Sequence, residues 1–482
     1  MLRTFLLVSS VSLGALLAQP PQAQQATDFK GVVRKNLVPV SNEVLRVKFP
    51  KPVESKLKNG MTLLVLEDHR SPTFQVSIRM PASSLNDPAE LEGIGSATSA
   101  LLRLGTKTRT SLQIADTLQE LGASLNASIG ERYAAISFSA LSENLDPLLA
   151  LVEDVMFNPS FPQDELDKWK NRQISQLQQS RAQPGFLGQE RLFAVLYPGD
   201  VRSRIAPTPE SIGKITRDLV VDYYNRNFRP AGGIVAVSGD VSPKEIAAKL
   251  DKVLGEWKGS APKPPELPIP GPIAEKKIFL IDRPNSVQTT LYISNLAFDR
   301  SSPDYIPAEV ANQILGSGPA SRLFRNIRED KGYTYGIGSF FSASHYTNIF
   351  VVSTSVRTEV TGPALEEIFK ELVNIREQVV PADELEGARR ALVASFALST
   401  ENAAAGLSNA LTIKDYGFPA DYWDTYPEKI SKVTAEDVQR IAKKYIPVDN
   451  AQIVAVGDAS KLRTVLAKFG PVEEYDSDGH KK

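Results

Sequence analysis

The sequence predicts an α+β protein of two similar α/β-sandwich halves, joined by a proline-rich linker and facing each other as a clamshell. The first observation is a repeat. IVAVSGD, ending at Asp240, returns as IVAVGD, ending at Asp458, 218 residues on, and Thr216 returns as Thr434 at the same offset. The P-x-DEL at Pro162 returns at Pro381, 219 residues on, while Gly105 to Gly316 and Gly122 to Gly332 are 211 and 210 apart. Two near-constant spacings with one insertion between them mark a duplication better than any single match. The second observation is 258–275, KGSAPKPPELPIPGPIAE, which is dense in proline and almost without apolar period, as a stiff linker is. The third is that runs of strand period alternate with runs of helical spacing on both sides of it.

In chain order, 1–26 reads as a secretory signal. Arg3 starts it, Thr4 to Ala18 is a 15-residue apolar stretch, and QPPQAQQA supplies a breaker and small residues. A membrane span needs about 20 residues, so a cleaved signal is expected, with an uncleaved anchor as the alternative. No twin arginine precedes the stretch, and a chain without cysteine carries no lipoprotein anchor. An exported, periplasmic protein is expected.

Residues 27–52 read as an extended arm, 53–257 as the N-terminal half, 276–470 as the C-terminal half and 471–482 as a charged, disordered tail. In the first half, Asn59-Gly60 between two strand-like runs signals a hairpin. TFQVSIRM alternates, with Phe74, Val76 and Ile78 on one face. Gly93 to Leu104 and Leu112 to Leu121 read as helices and AAISFSAL as a strand. LDPLLALVEDVM and DELDKWKNRQISQLQQSR read as helices. Thr216 caps a further helix, with Asp218 in its first turn, and GGIVAVSGD is a buried strand.

Composition excludes several classes. A net charge of −1 leaves no basic footprint for nucleic acid and no polybasic patch for anionic lipid. The absence of cysteine removes disulfides, thiolate nucleophiles and thiolate metal sites. The three histidines, His69 in a strand-turn, His345 in a late strand and His480 in the tail, are too far apart for a two-histidine helical zinc motif.

The stretch richest in chemistry is Ser321 to Tyr335, SRLFRNIREDKGYTY. Leu323, Phe324 and Ile327 fall at helical spacing, Lys331-Gly332 supplies a cationic last turn and a glycine stop, and YTYGIGSFF then alternates as a strand. On that alternation Tyr333, Tyr335 and Ile337 share a face. A helix turning sharply into a strand brings the guanidinium of Arg328 and the phenol of Tyr335 toward one spot. Two such donors suit a peptide carbonyl, or the oxyanion it becomes under attack. An arginine near a helix C-terminus and a tyrosine in a strand are also ordinary structural residues.

LGSGPASRLFRNIREDKGYTY resembles the C-terminal half of the pitrilysin/insulinase family of zinc peptidases, which includes bacterial two-chain peptidases and the mitochondrial processing peptidase. The resemblance runs through a glycine-rich loop, S-R-L-F and R-E-x-x-G-x-x-Y, and covers about Val53 to Gly470. It implies that Arg328 and Tyr335 reach a substrate held at a zinc site in another half or chain. It also implies substrate handling by the loop Gly316, Ser317 and Gly318.

Peptide-cleaving members carry H-x-x-E-H on a helix of the N-terminal half, with a further glutamate on a later helix as third ligand. Between Gly93-Ile94 and Leu101 to Thr106 this chain reads Ser96-Ala97-Thr98-Ser99-Ala100. The motif positions are therefore Ser96, Ser99 and Ala100, and the distant glutamate is matched by Gln176. Small and neutral replacements avoid stranding a charge in an emptied pocket. Ser96 and Ser99 lack a histidine partner in any recognisable triad pattern. The expectation is a zinc-less subunit without a cofactor of its own, paired with a family member that keeps H-x-x-E-H and zinc and cleaves unfolded peptides. The alternative is a binding or scaffold protein of the same fold.

Overall fold

A computed structural model of the chain describes residues 50–482, except 343 and 400–402. The signal and nearly all of the arm lie outside the described residues. The N-terminal half begins with β1 (Val53–Lys56), β2 (Thr62–Glu67) and β3 (Thr73–Pro81), followed by α1 (Ile94–Leu102) and α2 (Ser111–Glu120). Next come β4 (Ser124–Ile129), β5 (Tyr133–Leu141), α3 (Leu145–Phe157), α4 (Gln163–Arg181) and α5 (Pro184–Leu196). It closes with α6 (Pro209–Lys214), α7 (Arg217–Asn227), β6 (Ile234–Gly239) and α8 (Pro243–Leu254).

The C-terminal half opens with β7 (Lys277–Asp282), β8 (Gln288–Leu296) and α9 (Tyr305–Leu315), then a π-helix, Phe324–Asp330. It continues with β9 (Thr334–Phe341), β10 (Ile349–Arg357), α10 (Thr361–Glu377), α11 (Ala382–Ser399) and α12 (Ala403–Tyr416). It ends with α13 (Tyr426–Ser431), α14 (Ala435–Tyr445), β11 (Gln452–Gly457), α15 (Ala459–Leu466) and β12 (Val472–Tyr475).

The duplication is visible in the two sheets. The first runs β1-β2-β6-β3-β5-β4 and the second β12-β7-β11-β8-β10-β9. Five strands correspond in order and direction, and only the edges differ: β1 is antiparallel to β2, whereas β12 is parallel to β7. Thr216 and Thr434 both cap their helices, accepting from the N–H of Leu219 and Asp437. Gly60, at φ +86°, closes the expected hairpin of β1 and β2.

Each sheet buries one face under its own helices and part of the other under a helix of the opposite half. Along β2, Leu63 and Val65 face the N-terminal core, while Leu64 and Leu66 meet Leu407 and Leu411 of α12. Along β7, Ile278 and Leu280 face the C-terminal core, while Phe279 and Ile281 meet Leu187, Leu192 and Leu196 of α5. The central strands β6 and β11 are therefore apolar on both faces, which explains the unbroken IVAV runs. Neither α5 nor α12 was foreseen from the sequence, yet they bind the halves together.

Residues 257–274 form neither helix nor strand. Their carbonyls are held from both halves. Asn86 Nδ2 donates to Lys263 O at 2.9 Å, Arg202 Nη2 to Pro268 O at 2.7 Å, and Asn295 Nδ2 to Ile273 O at 3.2 Å.

Three expectations need correction. The tail 471–482 is ordered: β12 pairs with β7, and Arg191 of α5 lies 3.5 Å over the Tyr475 ring and donates to Gly479 O. Its charges are paired, with Lys482 on Asp282 at 2.6 Å, so charge alone did not imply disorder. His345 sits in the loop after β9 rather than in a strand, stacked on Tyr416 with centroids 4.0 Å apart. The segment carrying Arg328 is wound as a π-helix: Lys331 N donates to Asn326 O, five residues back.

Candidate functional site

Arg328 and Tyr335 come together at the join of the π-helix and β9. Gly332 takes φ +63°, the left-handed conformation that ends the helix. Arg357 Nη1 ties this turn down by donating to Gly332 O at 3.1 Å. The Arg328 guanidinium lies 4.8 Å from the centre of the Tyr335 ring, and its Nη1 donates to Thr334 O at 3.4 Å. Asn326 anchors the π-helix by donating to Glu367 and Glu371 of α10. Bonds from Asn326 and Lys331 hold the Glu367 carboxyl down at about 2.

The expected face-sharing of Tyr333, Tyr335 and Ile337 fails. Ile337 pairs with Thr354 but Thr334 pairs with Val356, so β9 carries an extra residue opposite Ser355. This β-bulge inverts the alternation. Thr334 and Ile337 turn inward, at 6% and 7% exposure, and Tyr335 turns out, at 88%. The bulge is pinned by one hydroxyl: Thr334 Oγ1 donates to Ser355 O at 2.7 Å and accepts from Gly336 N at 3.1 Å and Thr354 Oγ1 at 3.0 Å. Thr334→Val keeps the shape and strands these groups, so we expect a loss of about 1–3 kcal/mol in chemical denaturation. Thr334 was not identified from the sequence, although glycine inside a strand pattern, here Gly336, is a bulge signal.

Arg328 and Tyr335 line an open concavity of about 800 Å³. Its floor is the hydroxyl-bearing face of β8 and β10 (Thr290, Ser353, Ser355), and Pro184 and Gly185 at the start of α5 form one wall. The opposite half thus contributes to the site. Tyr292 fastens that wall, its hydroxyl donating to Gly185 O at 3.1 Å.

The glycine-rich loop lies elsewhere. Gly316, Ser317 and Gly318 follow α9 and do not line the concavity. Gly316 has a packing reason to be glycine, because a Cβ there would collide with Ser339, whose N–H donates to Gly316 O at 3.1 Å. Gly318, at φ +84°, makes the turn, and nothing lies within 4 Å of where its Cβ would be.

The positions matched to the three zinc ligands and the water-activating glutamate lie on α1 and α4, which pack together in the N-terminal half. Ser96 is exposed, Ser99 is buried at 2% with no hydrogen-bond partner for its Oγ among the described residues, and Ala100 is half-buried. Gln176 is exposed and lines a surface concavity of α4 that none of the other three lines. Two hydroxyls, a methyl and an amide offer neither imidazole nor carboxylate, so these residues do not fit zinc. Among the described residues no group of three or more histidine, aspartate or glutamate side chains could hold a metal ion.

The N-terminus of α1 is held by a buried acid. Asp87 accepts from Tyr223 Oη at 2.8 Å and from Gly95 N at 3.2 Å, and burial pushes its carboxyl up to about 6. Glu92, raised chiefly by its own burial, is raised further by the charge of Asp87. Because the folded value lies above the unfolded one, the stability tied to protonated Asp87 is full below about pH 4 and is lost as pH rises through about 6. The difference is on the order of 3 kcal/mol. In urea titrations from pH 4 to 7, the wild-type midpoint should fall relative to Asp87→Asn, and parallel curves would refute this.

Comparison with known proteins gives this geometry a family. A model described as insulinase (peptidase family M16) matches residues 63–202, and one described as the peptidase M16 inactive domain matches 214–392. The chain belongs to the insulinase (M16) family. Relatives include a Rickettsia felis protein described as an uncharacterized zinc protease, 23% identical over 418 residues, covering 84% of this chain and 97% of that one. A non-peptidase homolog of Helicobacter pylori is 23% identical over 385 residues, 78% of this chain and 87% of that one. The crystal structure of a peptidase M16 inactive domain from Pseudomonas fluorescens matches at TM-score 0.76 and 26% identity, covering 84% of this chain and 98% of that chain. Within the family this chain is a zinc-less member, lacking the residues that bind metal and activate water.

Proposed function

We propose that the chain is the non-catalytic subunit of a heteromeric zinc metallopeptidase. It would supply Arg328 and Tyr335 to the scissile carbonyl of a peptide held at the zinc of a partner that keeps H-x-x-E-H. The observation that carries this reading is the presentation of Tyr335. A bulge built on buried threonines turns a large aromatic outward, with its hydroxyl unbonded among the described residues and a guanidinium stacked beside it. A scaffold needs neither group there. The glycine-rich loop at Gly316 to Gly318, on the other side of β9, would guide the peptide. The halves, 53–257 and 276–470, are tied by exchanged helices and by 258–275. The clamshell would therefore close between this chain and its partner, enclosing unfolded peptides in the periplasm.

The test is reconstitution with a zinc-bearing family member from the same organism. Each chain alone should leave an unfolded peptide intact, this chain should hold no stoichiometric zinc, and the complex should cleave. Full activity of the partner without this chain, or failure of the two to associate, would leave the scaffold reading.

A further inference from the structure

A half-enclosed cavity of about 240 Å³ lies on the seam between the halves, away from Arg328 and Tyr335. Its walls include Arg79 of β3, Arg132 and Tyr133 at the start of β5, Tyr346 of the loop after β9, and Asp415 of α12. Residues 262–265 of the proline-rich segment also line it. Two guanidiniums flank one ring here, with Arg79 and Arg132 at 5.4 and 5.9 Å from the Tyr133 centroid. Their donors are largely unspent. Arg79 reaches Asp415 only at 3.5 Å, and half-buried Arg132 has no ion-pair partner among the described residues. The other wall cations are taken, Lys414 by Glu54 at 2.7 Å and Lys263 by Glu266 at 2.7 Å. Asp415, its side chain 13% exposed, makes one long ion pair and accepts from the Tyr133 hydroxyl, while Arg132 has no ion pair among the described residues; Glu131 is the second carboxylate on the wall.

We propose that this cavity binds a zwitterion of amino-acid or dipeptide size, its carboxylate held by Arg132 and Arg79 and its ammonium by Asp415. The planar fork of arginine matches a carboxylate two bonds at a time, and each such bond is stronger than a neutral one. The volume equals the share of about eight waters, which suits a molecule of that size and excludes a folded segment. Tyr133, Tyr346 and the prolines offer an apolar surface to the stem. Both halves and the segment joining them contribute walls, so an occupant would cross-brace the chain at its seam. The inference rests on this cavity alone and stands or falls apart from the peptidase reading.

Calorimetry on the purified full chain with alanyl-alanine tests it, alongside N-acetyl-alanyl-alanine, which lacks the ammonium, and alanyl-alanine amide, which lacks the carboxylate. Free alanine distinguishes an amino acid from a peptide. Saturable binding of alanyl-alanine or alanine is expected, weakened at least about 10-fold in Arg132→Met and in Asp415→Asn, with folding checked by circular dichroism. Both blocked dipeptides should bind about 10-fold or more weakly. No heat with alanine or alanyl-alanine at 10 times the concentration of a typical millimolar site, about 10 mM, overturns the proposal. Equal binding of the blocked dipeptides, or unchanged binding to both variants, does so too.

Discussion

Tyr335→Phe should lower peptide turnover by the reconstituted pair about 100- to 1,000-fold, which is the usual loss when one preorganised oxyanion donor is removed. The substitution deletes only the hydroxyl and leaves the ring stacked under Arg328. At 88% exposure that hydroxyl supports no packing, so folding and assembly should be unchanged. Arg328→Lys keeps the charge but loses the planar fork and its reach to Thr334 O, and should also be damaging. The loss should fall on kcat more than on KM, because the donors act on charge that develops in the transition state. Steady-state kinetics with pair formation measured separately decides the matter. Intact assembly with wild-type turnover in both variants would remove the carbonyl-polarising role.

The second large effect is expected at Gly188, on the face of α5 that crosses the C-terminal sheet. A Cβ there would lie 2.5 Å from Tyr292 Cε2 and 3.3 Å from Val456 Cγ2. Tyr292 is not free to swing away, since its hydroxyl is bonded to Gly185 O. Gly188→Leu should therefore lift α5 off Phe279, Ile281 and Val454, costing about 3 kcal/mol or more. Denaturant midpoints measure the loss. Adding Tyr292→Ala to Gly188→Leu should recover part of it, because the truncated ring makes room for the new side chain. An unchanged midpoint in the single variant would show that the helix seats in some other way. Such a lesion would act on both halves together, since α5 also walls the Arg328–Tyr335 concavity.

Several features were legible in the sequence because their causes are local. Thr216 and Thr434 cap helices because a threonine hydroxyl reaches the N–H three residues on, whatever the surroundings. Gly332 ends the π-helix because glycine takes positive φ without strain. The 210- and 218-residue offsets became two sheets of one order, since a duplicated chain pairs its strands alike. That Ser96, Ser99, Ala100 and Gln176 offer no imidazole or carboxylate is a matter of chemical identity, and no fold supplies a missing imidazole.

Tertiary structure alone decided what depends on a partner distant in sequence. Alternation over YTYGIGSFF set Tyr335 beside Ile337, but strand period assumes an unbroken ladder, and the bulge is made across the sheet by Ser355 and Thr354. The winding of Phe324–Asp330 carries no mark in residue type; α10 grips it through Glu367 and Glu371. Helices α5 and α12 carry apolar residues whose partners cannot be read locally, because each buries them against the sheet of the other half. The charged tail became a strand because β7 offered an open edge, Arg191 bonded Gly479 O and Asp282 paired with Lys482. Residue identity determined which chemistry this chain has lost and which donors it keeps; contacts across the sheets determined where those donors point.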